Sequence, residues 1–145
     1  MTTPRVDLNT VQGFFALAPF MVDLGVQAVH AEPGRVDSEL ALQPRFLQHT
    51  GQAHAGVMTT LADHTMGAAA QTLAPAGQWV ITAELKASLL RPGLGERLVC
   101  SARVLKAGQR LSFTEAEVWG QRGDERVLVL KASATMALVA ADRAG

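Results

Sequence analysis

Residues 55 to 74, AGVMTTLADHTMGAAAQTLA, have almost no polar face. Val57, Met58, Leu61, Ala62, Met66, Gly67, Ala68, Ala69, Ala70 and Leu73 spread apolar or small side chains nearly all round a helix. A helix with no broad polar stripe is stable only when it is covered on most sides. Whatever this chain folds into must therefore wrap that segment. Gly67 costs some helix propensity and lets another backbone come close. Inside the apolar run sits one carboxylate, Asp63, which is costly to bury without a purpose.

The rest of the chain is suited to wrapping. After the turn APAGQ come four strand-like runs: WVITAELKASLL, RLVCSARVLKA, RLSFTEAEVWGQ and RVLVLKASATMALVA. Gly-containing turns separate them, which reads as a long antiparallel meander. Ahead of the helix, MVDLGVQAVHA and GRVDSELALQP flank the turn EPG and read as a hairpin. RFLQHTGQA has no clear period and reads as a loop. Residues about 8 to 18 form a short amphipathic helix that ends near Pro19, since proline clashes with the preceding turn. The expected fold class is α+β: one long buried central helix inside a curved antiparallel sheet whose outer face meets water, with a short N-terminal helix. The expected organisation is a single domain over 1–145, with 1–20 as the N-terminal helical segment and 140–145 as a tail.

Composition narrows the function classes. Hydrophobic residues at 48% and charged residues at 18% are globular rather than disordered. Lys+Arg and Asp+Glu number 13 each, so the balance gives no electrostatic reason to expect nucleic acid or an anionic membrane. Cys100 is the sole cysteine. It permits neither an intrachain disulfide nor a cysteine-based metal site, which suits a reducing compartment and a cytoplasmic chain. VQGFFALAPFMV near the N-terminus is apolar, but Pro19 interrupts it and Asp23 closes it too soon to span a bilayer. It reads as a docking helix.

The stretch FLQHTGQAHAGVMTTLADHTMGAAA resembles the hotdog-fold acyl-CoA thioesterases of the PaaI type. It is similar to that family's order of an amide residue, a short glycine-containing loop, His-Gly-Gly, a hydrophobic turn, then Leu-x-Asp and small residues. LLRPGLGERL after the next strand resembles a second family feature. Together the resemblance covers roughly residues 35 to 139. Where the family has His-Gly-Gly, this chain has His54-Ala55-Gly56. Alanine can serve if the role belongs to a backbone N–H, within a more restricted conformation.

The resemblance implies hydrolysis of an acyl-CoA thioester, with coenzyme A present only as part of the substrate and no separate cofactor. A non-catalytic acyl-CoA-binding domain and a hotdog hydratase or dehydratase are the alternatives. Thioester hydrolysis needs donors for the developing oxyanion, and a helix N-terminus supplies free N–H groups. The amides of Ala55 and Gly56 are the candidates, with the contact itself expected at Ala55. Asp63 is the candidate general base or nucleophile; a structural pairing with Lys86 or an arginine is its other reading. Gln48 falls where the family places an amide that positions water or the thioester. Thr82 falls where a Ser or Thr assists the carboxylate. His54 is expected to be structural at the loop-to-helix junction. His49, His54 and His64 lack the spacing of a helical ligand pair, so no metal is expected. Arg91, Lys106 and Arg110 are candidates for contact with the anionic part of coenzyme A.

Ala55 and Asp63 lie eight residues apart, about 12 Å along one helix at 1.5 Å per residue. That is too far for both to reach one carbonyl carbon. Two antiparallel helices from two subunits would close the gap, so a two-fold dimer is expected, or a dimer of dimers as a homotetramer.

Overall fold

The computed structural model describes residues 6–143. The outermost parts of the expected N-terminal segment (1–5) and tail (144–145) lie outside the described residues. Helix α1 spans Leu8–Leu17 and opens on Asp7, whose side chain accepts from the Thr10 N–H at 3.0 Å. Capping of this kind satisfies an amide that the helix leaves free. Val11 and Phe15, one turn apart, bury the same face.

Pro19 does end α1, but a second helix follows where the sequence suggested a strand. Helix α2 spans Pro19–Leu24 with proline at its first position. There the missing N–H is no loss and the fixed φ already suits a helix. Gly25, at φ 80°, closes it, so strand β1 is confined to Gln27–Glu32. It turns through Gly34 into β2, Arg35–Ala41. The central helix α3 follows over Ala55–Gln71, then β3 (Gln78–Leu89), β4 (Arg97–Ala107), β5 (Leu111–Arg122) and β6 (Glu125–Ala140).

The six strands form one antiparallel sheet in the order β1-β2-β4-β5-β6-β3. Only β4, β5 and β6 form a meander. The strand after the helix, β3, pairs with β6 at the far edge, so residues 90–96 are a crossover and not a hairpin turn. That crossover is held at each strand end it passes. Leu90 N–H donates to Val129 O at 2.8 Å, Glu96 N–H to Gln121 O at 2.8 Å, and Ala53 N–H to Gly93 O at 2.8 Å. Gly120 lets it lie close, because a Cβ there would collide with the Leu94 carbonyl oxygen.

One row across the sheet explains how it can curve around α3. Val36, Ala102, Ala116, Ala132 and Ala87 are successive cross-strand partners. Four alanines in line make a trough, against which Leu61, Ala62, Met66 and Ala69 of α3 are fully buried. Small side chains bring the layers together at native packing density. Bulges at Val29, Ala83, Leu105 and Val129 add the local bends. The polar contact between the helix and the sheet here is complete. Thr65 donates to Leu61 O at 2.6 Å, so Ser38, 2.7 Å away, donates to Thr65. Cys100 lies buried beside them, and burial pushes its thiol up to about 12.

Enlarging the trough residue should be costly. Ala116→Leu is expected to lower unfolding free energy by ~1–3 kcal/mol through overpacking against α3. Urea denaturation of the variant beside the wild type measures it.

Candidate active site

His54 closes the loop before α3. Its φ and ψ of −63° and 138° are extended, and its Nδ1 accepts from the Gly56 N–H at 2.8 Å. Glycine suits position 56, since a Cβ there would stand 3.0 Å from that nitrogen. Of the two adjacent donors expected from the sequence, Gly56 is therefore committed to its own cap. The Ala55 N–H has no acceptor among the described residues. Ala55 does not have positive φ, so its methyl group imposes no strain. Gln48 sits half-buried in the preceding loop, which the Leu47–Ala53 bridge pinches shut. Its amide nitrogen lies 3.4 Å from Gln52 Oε1, and Gly51, at φ 86°, makes the turn.

Asp63 is half-buried midway along α3, and Thr82 Oγ1 donates to its Oδ1 at 2.7 Å. The bulge at Ala83 decides which β3 residues face the helix. Before it, Val80 and Thr82 point inward; after it, the inward set becomes Leu85 and Ala87. A strand without the bulge would have turned Lys86 toward α3. With it, Lys86 lies on the other face, so the structural pairing of Asp63 with Lys86 does not form. Among the described residues no lysine or arginine forms an ion pair with Asp63. A cavity of about 200 Å³ opens beside the Asp63–Thr82 pair, with Phe14, Gly67, Gln71 and Trp79 in its walls.

The three histidines go to different places. His49 is exposed in the loop, His54 caps α3, and His64 meets Phe15 of α1 edge-on with ring centroids 4.5 Å apart. Among the described residues no three His, Cys, Asp or Glu side chains gather as metal ligands. The candidate cations also separate. Arg91 donates to Leu128 O at 3.0 Å, at one end of the sheet. The Arg110 backbone carbonyl accepts from the Leu138 N–H, and Lys106 lies opposite Phe113, at the other end. Along β6 the residues beside them, Leu128 at one end and Thr135 and Leu138 at the other, are about 23 to 33 Å apart at ~3.3 Å per residue. One protomer does not bring the three to one point. No helix among the described residues is long and apolar enough to cross a membrane.

Gln71 at this cavity, and Thr59 one turn before Asp63, were not singled out in the sequence. With Asp63 and Gly67 they recur every four residues, and all four are half-buried. A ridge at that spacing follows one line on a helix; Thr59 and Gln71 were missed because neither is charged or apolar. Gln71 holds the start of β3, donating to Gln78 O and accepting from the Val80 N–H, both at 3.0 Å.

Comparison with known proteins decides the family. The Thioesterase superfamily pattern matches residues 50–127, which include Ala55, Asp63 and Thr82.

The chain belongs to the thioesterase superfamily.

It is 29% identical over 94 residues to human acyl-coenzyme A thioesterase 13, a match covering 64% of this chain and 66% of that protein, just under two thirds of its length. A thioesterase family protein from Silicibacter pomeroyi superposes with a TM-score of 0.88 at 31% identity, covering 91% of this chain and 97% of that one. The PaaI protein of the E. coli phenylacetic acid degradation operon shares the fold, with a TM-score of 0.81 at 17% identity over 90% of this chain and 91% of that one. The expected hotdog architecture is thus the observed one: a central helix in a curved six-stranded sheet, with short N-terminal helices.

In this thioesterase-superfamily chain, His64 ties α1 to α3. Burial holds its imidazole below the ordinary value of 6.5, against a smaller opposing pull from the Asp63 carboxylate. Its Nε2 is buried without a hydrogen-bond partner among the described residues. The folded state favours neutral His64, so below pH 6.5 the unfolded chain binds more protons. Stability should be full above that pH and decline as pH falls through and below it. His64→Leu should flatten this part of the profile, as read from thermal unfolding between pH 7.5 and 5.

Proposed function

We propose that this protein hydrolyses acyl-CoA thioesters to the free acid and coenzyme A at a site shared by two subunits. The observation that carries the reading is the Thr82–Asp63 hydrogen bond in a cavity wall, with the unpaired Ala55 N–H two turns away on the same helix. Thr82 occupies one carboxylate oxygen and leaves the other for water. Asp63 takes a proton from that water as its oxygen attacks the thioester carbonyl. The tetrahedral oxyanion accepts from the Ala55 N–H at the start of the partner's helix, where aligned peptide dipoles favour negative charge. Collapse expels the coenzyme A thiolate, which recovers the proton from Asp63. Atoms balance as thioester plus water giving acid plus thiol.

Two features support the shared site. Ala55 and Asp63 are about 12 Å apart along α3. The Asp63–Thr82 pair also lies beside β3, whose outer edge has no strand partner among the described residues. A two-fold assembly sets one protomer's helix start against the other's carboxylate. Gln48, in the loop before that start, is then placed to orient the thioester or the water. Arg91 of one subunit and Lys106 or Arg110 of the other are the proposed contacts for the anionic end of coenzyme A.

Thiol release from a panel of acyl-CoAs measures the activity. Asp63→Asn should lower kcat by ~10²-fold or more with the fold intact, and Thr82→Val should cost less because it removes the positioning bond and not the base. Unchanged turnover in Asp63→Asn would make the carboxylate structural.

Mixing tests the shared site directly. Ala55→Pro removes the N–H yet suits a helix's first turn, so it should fold, associate and lose ~10²-fold or more in kcat. Co-refolded with Asp63→Asn, it should regain activity to about a quarter of wild type, since half the dimers then hold one intact site of two. No recovery in dimers confirmed by sedimentation would place both groups of each site in one chain.

A further inference from the structure

The cavity beside Asp63 does not end at the carboxylate. Phe14, Gln71 and Trp79 are common walls between it and a larger cavity of about 560 Å³ at the C-terminal end of α3. Leu73 and Pro75 add apolar surface there. The path from Asp63 to Thr72 covers nine residues of helix, about 13 Å. Gln71, the polar side chain at the junction, has both ends of its amide satisfied by β3. Among the described residues, the buried polar atoms without a partner on these walls are His64 Nε2 in the first cavity and Gln78 Oε1 in the second; the rest of the path is apolar or, like Gln71, already bonded within the chain.

From these walls we infer that the substrate's acyl group is a straight medium-to-long hydrocarbon chain, which runs from the thioester at Asp63 past Gly67 into the cavity between α1 and the end of α3. This inference rests on the thioesterase reading and specifies its substrate class. A flat, short aryl-acetyl group would fill only the first cavity. A straight chain fills both and lies against Phe14 and Trp79. Gly67 is the residue that keeps the path open: a Cβ there would meet nothing within 4 Å. The approach of another backbone that the glycine suggested in the sequence does not occur within the described chain. The same position projects into the cavity wall, so side-chain bulk at 67 would obstruct the chain directly. Folding of such a variant is not at risk, since leucine at an interior helix position is a better helix former than glycine.

The experiment compares kcat/KM for butanoyl-, octanoyl- and dodecanoyl-CoA, with phenylacetyl-CoA beside them, in wild type and Gly67→Leu. Wild type should gain with each added carbon, by up to about fourfold per buried methylene. Gly67→Leu should lower the dodecanoyl-to-butanoyl ratio by ~10-fold or more. Phe14→Ala, which removes a wall of both cavities, should also flatten the chain-length dependence. A wild-type preference for phenylacetyl-CoA, or a Gly67→Leu ratio equal to wild type, would overturn the proposal. Loss of the dimer in Gly67→Leu by sedimentation would do so too, by giving the space at Gly67 to a partner's backbone. If wild type hydrolysed none of these thioesters, the thioesterase reading would fail separately. Calorimetric binding of butanoyl- and dodecanoyl-CoA to the wild type and Gly67→Leu would then decide the chain path: tighter binding of the longer chain, lost in the variant, supports it, and equal binding overturns it.

Discussion

Everything in this fold answers to the surface of α3. A helix that is apolar on nearly every side cannot rest on one layer, and the chain supplies two coverings. The sheet takes one side, where a row of alanines lets it come close. The helix α1 takes part of another, with Phe15 against His64. What neither covers fully is the ridge of Thr59, Asp63, Gly67 and Gln71, which stays half-buried. The site is therefore a remainder: the strip of the central helix left over when packing is complete. Its chemistry depends on that incompleteness, because a carboxylate covered on all sides would be either neutral or paired.

Much of this was legible in the sequence, and the reason is local periodicity. The start of α3 at Ala55 and the four strand-like runs after it follow from apolar spacing and turn residues, which act over a few positions. Asp63 and Thr82 stood out by matching a pattern, and the structure places them 2.7 Å apart. The strand order did not show. Nothing in WVITAELKASLL says that it pairs with the last strand rather than the next one, since non-local pairing leaves no period behind. The second N-terminal helix was missed because Pro19 was read as a stop, when proline stops one helix and starts another equally well.

The bulge at Ala83 is a subtler case. It shifts the inward face of β3 by one residue, which turns Thr82 toward Asp63 and Lys86 away from it. Strict alternation would have put both on the same side. One inserted residue thus separates a carboxylate held by a neutral hydroxyl from a carboxylate locked in an ion pair. The loop before α3 makes a comparable choice. His54 takes the Gly56 amide for its own cap, leaving Ala55 as the free donor, a division that residue types alone could not reveal.

The burial of Cys100 bears on product chemistry. A thioester hydrolase releases a free thiol at every turnover, and a free thiol that oxidises will exchange with any accessible protein thiolate. The single sulfhydryl of this chain lies in the trough beneath α3, with its ionisation pushed up to about 12. Exchange proceeds through the thiolate and requires access, and Cys100 offers neither. Under the proposed thioester hydrolysis, the packing that seats the central helix therefore also keeps the protein from being capped by the oxidised form of the released thiol.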